Sequence, residues 1–211
     1  MRRNPFIVLT GGPGGGKTTL IEELLIDPAW SGRIITLPEA IFILGQVGIS
    51  PQEKLFQRVM VHLQMALEEG LDHALDHTDH RLILCHRGSL DPLAYWLDRS
   101  WPEKEFFTFT GTTLEEHYRR YKAVIHLVTA ADGAEQHYTR WPEAHRPEDI
   151  KDAVRLDLLI QRVWDGHPNY YRLDNQERDW ATKSQASMEV LTNIIFEHDA
   201  DIECINSWYY N

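Results

Sequence analysis

Lys17 and Thr18 close a run of small residues, Gly11-Gly12-Pro13-Gly14-Gly15-Gly16, and Thr19 follows them. Glycines let a backbone curl until successive amide N–H groups converge on one centre, which suits the oxygens of a phosphate chain. A lysine at this spacing reaches the terminal phosphates, and the Thr18 hydroxyl is a ligand for Mg²⁺. Phe6-Ile7-Val8-Leu9 precedes the glycines, and Leu20-Ile21-Glu22-Glu23-Leu24-Leu25 comes after them. The loop therefore joins a buried strand to a helix whose N-terminus adds the positive end of its dipole. Residues 11–19 imply binding of a nucleoside triphosphate.

Two further segments carry chemistry. Glu39, in Leu37-Pro38-Glu39-Ala40, can orient an attacking hydroxyl or accept its proton. Arg87 lies in His86-Arg87-Gly88-Ser89-Leu90-Asp91-Pro92-Leu93-Ala94-Tyr95 and suits an anionic phosphate or acceptor. Asp91, four residues on, either joins Arg87 in binding a substrate or pairs with it to cap a helix. His73 and His77 have the spacing of two metal ligands on one helix face, but no third ligand accompanies them, and a polar helix end is expected. Cys85 is expected to fill a buried strand.

These residues need a frame, and the hydrophobic pattern supplies one. Strands are expected at 6–10, 33–37, 81–85, 123–128 and 170–173. Helices are expected at 91–98, 114–121, 147–164 and 179–197, and over 51–77, where Ser50-Pro51-Gln52-Glu53 reads as an N-terminal signal. Alternating strands and helices imply one α/β domain spanning 1–211: a three-layer sandwich around a five-stranded parallel sheet. Its ligand rim lies at the carboxyl ends of the strands.

Composition narrows the partners. A net charge of −11 over 211 residues works against long-range attraction to nucleic acid or anionic membranes. No apolar run approaches a membrane span, and no signal-peptide stretch follows Met1-Arg2-Arg3. With only Cys85 and Cys204 there is no disulfide framework, so a cytoplasmic protein is expected. The seven tryptophans are scattered, which suits packing.

The glycine loop at 11–19, the Pro38-Glu39-Ala40 element, the run from His86 to Tyr95 and the turn Trp164-Asp165-Gly166-His167-Pro168 together resemble the AAA-domain family of P-loop ATPases and small-molecule kinases. Thymidylate kinase and the kinase domain that phosphorylates nicotinamide riboside are relatives of that family. The resemblance covers nearly the whole chain and implies the P-loop NTPase fold with a kinase-like lid at about 132–150. It also implies that Arg140 or Arg146 closes over the triphosphate, and that Asn175, after the last strand, helps hold the base. The guanine-reading Asn-Lys-x-Asp element is absent, so ATP with Mg²⁺ is the expected ligand pair.

In one respect the chain departs from the family pattern. His86 stands where the family usually has an aspartate that holds Mg²⁺ through a water, so Glu39, Asp91 or the phosphates with Thr18 must hold the ion instead. The reading is a Mg²⁺-dependent kinase of a small-molecule hydroxyl or phosphate. Two alternatives stay open: a regulatory, nucleotide-dependent ATPase without an acceptor, and a polynucleotide 5′-hydroxyl kinase. An aromatic tail at 199–211 is expected to dock on the body or on a partner.

Overall fold

The computed structural model of the protein describes residues 4–45, 47–75, 81–138, 148–176 and 179–209. Five strands form one parallel sheet in the order β2-β3-β1-β4-β5: β1 Phe6–Thr10, β2 Ile34–Leu37, β3 Leu82–His86, β4 Ala123–Leu127 and β5 Tyr170–Leu173. The central strands β1, β3 and β4 are buried at every position, and are apolar except for Thr10, His86 and His126. β2 and β5 form the edges and are partly open. The strand order reverses at β1, which pairs with β3 on one side and β4 on the other. That reversal opens a crevice at the carboxyl end of β1.

Eight helices are described: α1 Lys17–Ile26, α2 Ile41–Leu44, α3 Lys54–Ala74, α4 Asp91–Asp98, α5 Glu103–Thr110, α6 Leu114–Arg119, α7 Ile150–Trp164 and α8 Trp180–Tyr209. Each face of the sheet has its own core. Phe6, Val8, Ile83 and Val124 pack against Leu93, Trp96, Phe106, Ile160 and Trp164 from α4, α5 and α7. Ile7, Leu9, Leu84 and Ile125 pack against Leu20 and Leu24 of α1 and Leu191 and Ile194 of α8. Burying one such side chain contributes about 1.5–3 kcal/mol, so these two cores hold the three layers together. Among the described residues, no helix is long and apolar enough to cross a membrane.

The expected strands match to within a residue at their ends, and α2 and α5 are additions. The Ser50–Glu53 signal makes a separate turn, with Ser50 N–H donating to Glu53 Oε1 at 3.0 Å, and α3 starts only at Lys54. The buried face of α3 carries Phe56 and Val61 but also Gln57, Gln64 and Glu68, while Leu55 is exposed. Glu68 accepts hydrogen bonds from Tyr121 Oη, Gln64 and Arg120, which offsets the cost of burying it. The segment expected as a tail from 199 is instead helical backbone, continuous with α8 to Tyr209.

Candidate functional site

The glycine loop occupies the crevice at the end of β1. Gly11 has φ +123°, and a Cβ there would lie 2.0 Å from the Leu127 carbonyl oxygen, so only glycine lets the loop turn against β4. Lys17 opens α1 and folds back, its Nζ donating to the carbonyls of Gly11 and Gly12 at 2.9 Å each. Burial, aided by the nearby Arg87 charge, pushes the Lys17 ammonium down to about 7 against the pull of Glu39, Asp91 and Asp157. Thr18 and Thr19 are exposed at the head of α1. Aromatic rings brace the loop on its outside: Tyr138 lies against Gly14, and Trp180 of α8 lies against Gly16. The Trp180 indole N–H donates to Glu23 of α1, so this ring is anchored to the loop's own helix.

A second group of residues gathers on the same rim from β2, β3 and α4. Pro38 ends β2 and Glu39 follows, its carboxylate accepting from Arg87 Nε. His86 Nδ1 lies 3.4 Å from the other Glu39 oxygen. Arg87 has φ +74°, unusual for a side-chain-bearing residue. Its Nη1 donates to the Gly11 carbonyl at 3.3 Å and to Asp91 Oδ1 at 3.4 Å, and its guanidinium lies 5.6 Å from the centre of the Tyr95 ring. Asp91 Oδ2 accepts the Gly88 N–H at 2.7 Å, and Oδ1 also accepts the Thr10 hydroxyl. Burial alone would raise the Glu39 carboxyl; Arg87, His86 and Lys17 together hold it below its ordinary value. The arrangement is a carboxylate kept ionised beside a phosphate cradle.

Lys17, Glu39, Arg87 and Asp91 are thus brought together, although Asp91 has both oxygens occupied and supports Arg87 from below. The Asn175 side chain is fully engaged: its Nδ2 donates to the carbonyls of Thr129 and Asp132 and its Oδ1 accepts from Lys183. A pocket of about 190 Å³ opens beside it, lined in part by Asp174, Gln176, Asp179 and Lys183. Arg140 and Arg146 lie outside the described residues, as do His77 and His80. His73 is exposed on α3, its ring against the Glu69 carbonyl, and Cys85 is buried in β3.

Sequence reasoning missed Asp157. It sits in the middle of α7, where the alternation of Ala153, Leu156, Ile160 and Val163 marks only a buried face. Its Oδ1 accepts the Gly12 N–H at 2.6 Å and the Thr129 N–H at 3.1 Å, and its Oδ2 lies 3.1 Å from His126 Nε2. A charged residue within an otherwise apolar stripe was the available signal.

No curated protein matches the sequence. Among solved structures, a deoxyadenosine kinase from M. mycoides, with the products dCMP and a flexible dCDP bound, is similar over 89% of this chain and 99% of its own. The TM-score is 0.57 at 15% identity, a likeness that shows a shared fold. The same enzyme with bound dATP aligns over the same shares at 14% identity and TM-score 0.49. A sequence profile of the AAA domain family matches residues 6–183. With the phosphate loop, the sheet order and the Glu39–Arg87 rim in place, the chain belongs to the AAA domain family.

Proposed function

We propose that the chain is an ATP- and Mg²⁺-dependent kinase that transfers the γ-phosphoryl group of ATP to a hydroxyl of a small molecule. The observation that carries this reading is the Gly11 carbonyl, which accepts from both Lys17 and Arg87, while Arg87 Nε holds Glu39 beside the phosphate loop. A fold shared with a deoxyadenosine kinase supports it. The loop amides and Lys17 hold the β- and γ-phosphates. Oxygen donors suit Mg²⁺, and the exposed Thr18 hydroxyl at the head of α1 would hold it together with the phosphates. Bound there, the ion would offset the charge of the phosphate oxygens.

Glu39 orients the acceptor hydroxyl and takes its proton as the acceptor oxygen bonds to the γ-phosphorus. The bond from that phosphorus to the β–γ bridging oxygen breaks, and ADP leaves with the electron pair. A carboxylate held well ionised is a weak base, so its work is mainly orientation, with proton transfer late in a loose transition state. The same carboxylate favours a hydroxyl over a phosphate acceptor, which needs no base and would be repelled by it. Arg140 or Arg146 supplies positive charge to the transferring group, and the pocket beside Asn175 takes the adenine.

Incubation with γ-labelled ATP, Mg²⁺ and pooled nucleosides, nucleotides and vitamin precursors, read by mass spectrometry, tests this. A phosphorylated hydroxyl compound is expected; ATP hydrolysis with no phosphorylated product would favour the regulatory ATPase instead. Lys17→Ala should abolish turnover and leave only weakened ATP binding. Glu39→Gln should spare it while lowering transfer by about 10²–10⁴-fold.

A further inference from the structure

Asp157 and His126 form a buried pair that takes no part in the proposed transfer, yet it touches the phosphate loop. His126 lies near the end of β4 on the row beside Thr10, its register partner on β1. It is fully buried, and its Nδ1 has no partner among the described residues. Asp157 reaches the same place from α7, the helix that follows the segment carrying Arg140 and Arg146. An ionised carboxylate only accepts, so the His126 proton sits on Nε2, facing Asp157 Oδ2. Asp157 Oδ1 is left to hold two backbone donors, Gly12 in the loop and Thr129 after β4. The contact is close enough that a Cβ on Gly12 would lie 2.8 Å from both Cβ and Oδ1 of Asp157.

A carboxylate this deep loses its hydration, and its partner His126 keeps an unsatisfied Nδ1. Apolar side chains of the same volume would avoid both costs but would leave the Gly12 and Thr129 N–H groups without an acceptor. The pair therefore makes better sense as a positioning device than as a source of stability. We infer that Asp157, oriented by His126, is a latch through which α7 sets the first turn of the phosphate loop, so that nucleotide affinity depends on this helix's position. Gly12 precedes the residues that cradle phosphate, and fixing its N–H fixes the direction from which the loop starts. Neither residue touches the nucleotide or the acceptor; both act through Gly12. The inference rests on the loop binding ATP, but not on the identity of any acceptor.

The test is ATP affinity, measured by calorimetry on the full chain, beside thermal unfolding without nucleotide and hydrogen exchange of the Gly12 and Thr129 amides. Asp157→Leu keeps the volume and removes the acceptors, and it should raise the ATP Kd about tenfold or more while both amides exchange faster. Asp157→Asn keeps an oxygen for the two amides and should stay within about threefold of wild type. A folded Asp157→Leu protein with wild-type affinity overturns the latch. So do equal losses in both variants, because charge alone would then explain them. Should Asp157→Leu fail to fold, His126→Leu carries the test. It removes the orienting donor while keeping Asp157, so an ATP Kd about threefold above wild type is expected, and an unchanged Kd overturns the proposal. Wild-type protein that does not bind ATP would overturn the nucleotide reading itself, and the latch with it.

Discussion

Asp91 and Asp157 enter the rim from adjoining helices, and each secures a different half of it. Asp91, at the start of α4, holds the Arg87 turn through the Gly88 N–H and the guanidinium. Asp157, in the middle of α7, holds the phosphate loop through the Gly12 N–H. Each also meets a polar side chain from the end of a neighbouring strand, Thr10 for Asp91 and His126 for Asp157. Two buried carboxylates thus divide the work. One fixes Arg87 and the other the phosphate-loop backbone, while Lys17 feels the charge of both. A carboxylate near a phosphate site does not have to bind metal or substrate; it can act by shaping the groups that do.

The largest expected effect comes from the one atom where the two halves meet, the Gly11 carbonyl. Gly11→Ala forces a Cβ to within 2.0 Å of the Leu127 oxygen and should abolish both ATP binding and transfer. A variant that binds ATP normally in calorimetry would show that the halves are not joined there. Next in size is Asp91→Leu, which strips Arg87 of its second carboxylate and leaves the Gly88 N–H unsatisfied. A loss of about 2 kcal/mol, roughly 30-fold in kcat/KM for the acceptor, is expected with the ATP Kd unchanged. An equal loss of ATP affinity in steady-state and binding measurements would erase the division between the two acids.

The smallest effect isolates the donor half by pH. The folded Lys17 ammonium titrates near 7, against 10.5 for a free lysine. Between those values the unfolded chain binds more protons, so Lys17 costs stability below pH 7 and that cost is relieved as pH rises. The triphosphate favours the charged form, so ATP binding near pH 8 should take up a proton, and affinity should fall severalfold as pH rises from 7 to 9. Calorimetry in buffers of different ionisation enthalpy measures this, and Lys17→Met should show no proton uptake linked to that group. Persistent uptake of the same size in Lys17→Met would assign the proton elsewhere.

Much of the frame was legible in one dimension, because buried parallel strands are short apolar runs that end in polar rim residues. β1 and β5 begin and end where the pattern places them. α2 was hidden because Ile41-Phe42-Ile43-Leu44 is apolar at every position and shows no period. α5, Glu103–Thr110, was hidden because Phe106-Phe107-Thr108-Phe109-Thr110 carries aromatic and β-branched residues that also suit a strand. On α3 the burial of Glu68 and Gln64 was not legible, because Tyr121 and Arg120 complete their hydrogen-bonded group from a distant part of the chain. Glu39 and Arg87 were visible as candidates because each lies just beyond a strand end. Their pairing was not, since 48 positions separate them.

By itself the sequence determined the strands, most of the helices and the phosphate-binding chemistry: a strand, a glycine turn and a helix that together make a phosphate cradle, and the polar residues that follow each strand. Those depend on contacts between near neighbours, which a short stretch of chain carries in full. Only the tertiary structure decided which carboxylate does what. Asp91 turned inward to hold Arg87, Glu39 stayed at the rim paired with it, and the Asn175 side chain was fully engaged. Asp157 emerged from an apolar stripe to hold Gly12, 145 positions away. The role of a buried charge is set by the donors that surround it, and in this chain those donors come from strands and helices far apart in sequence.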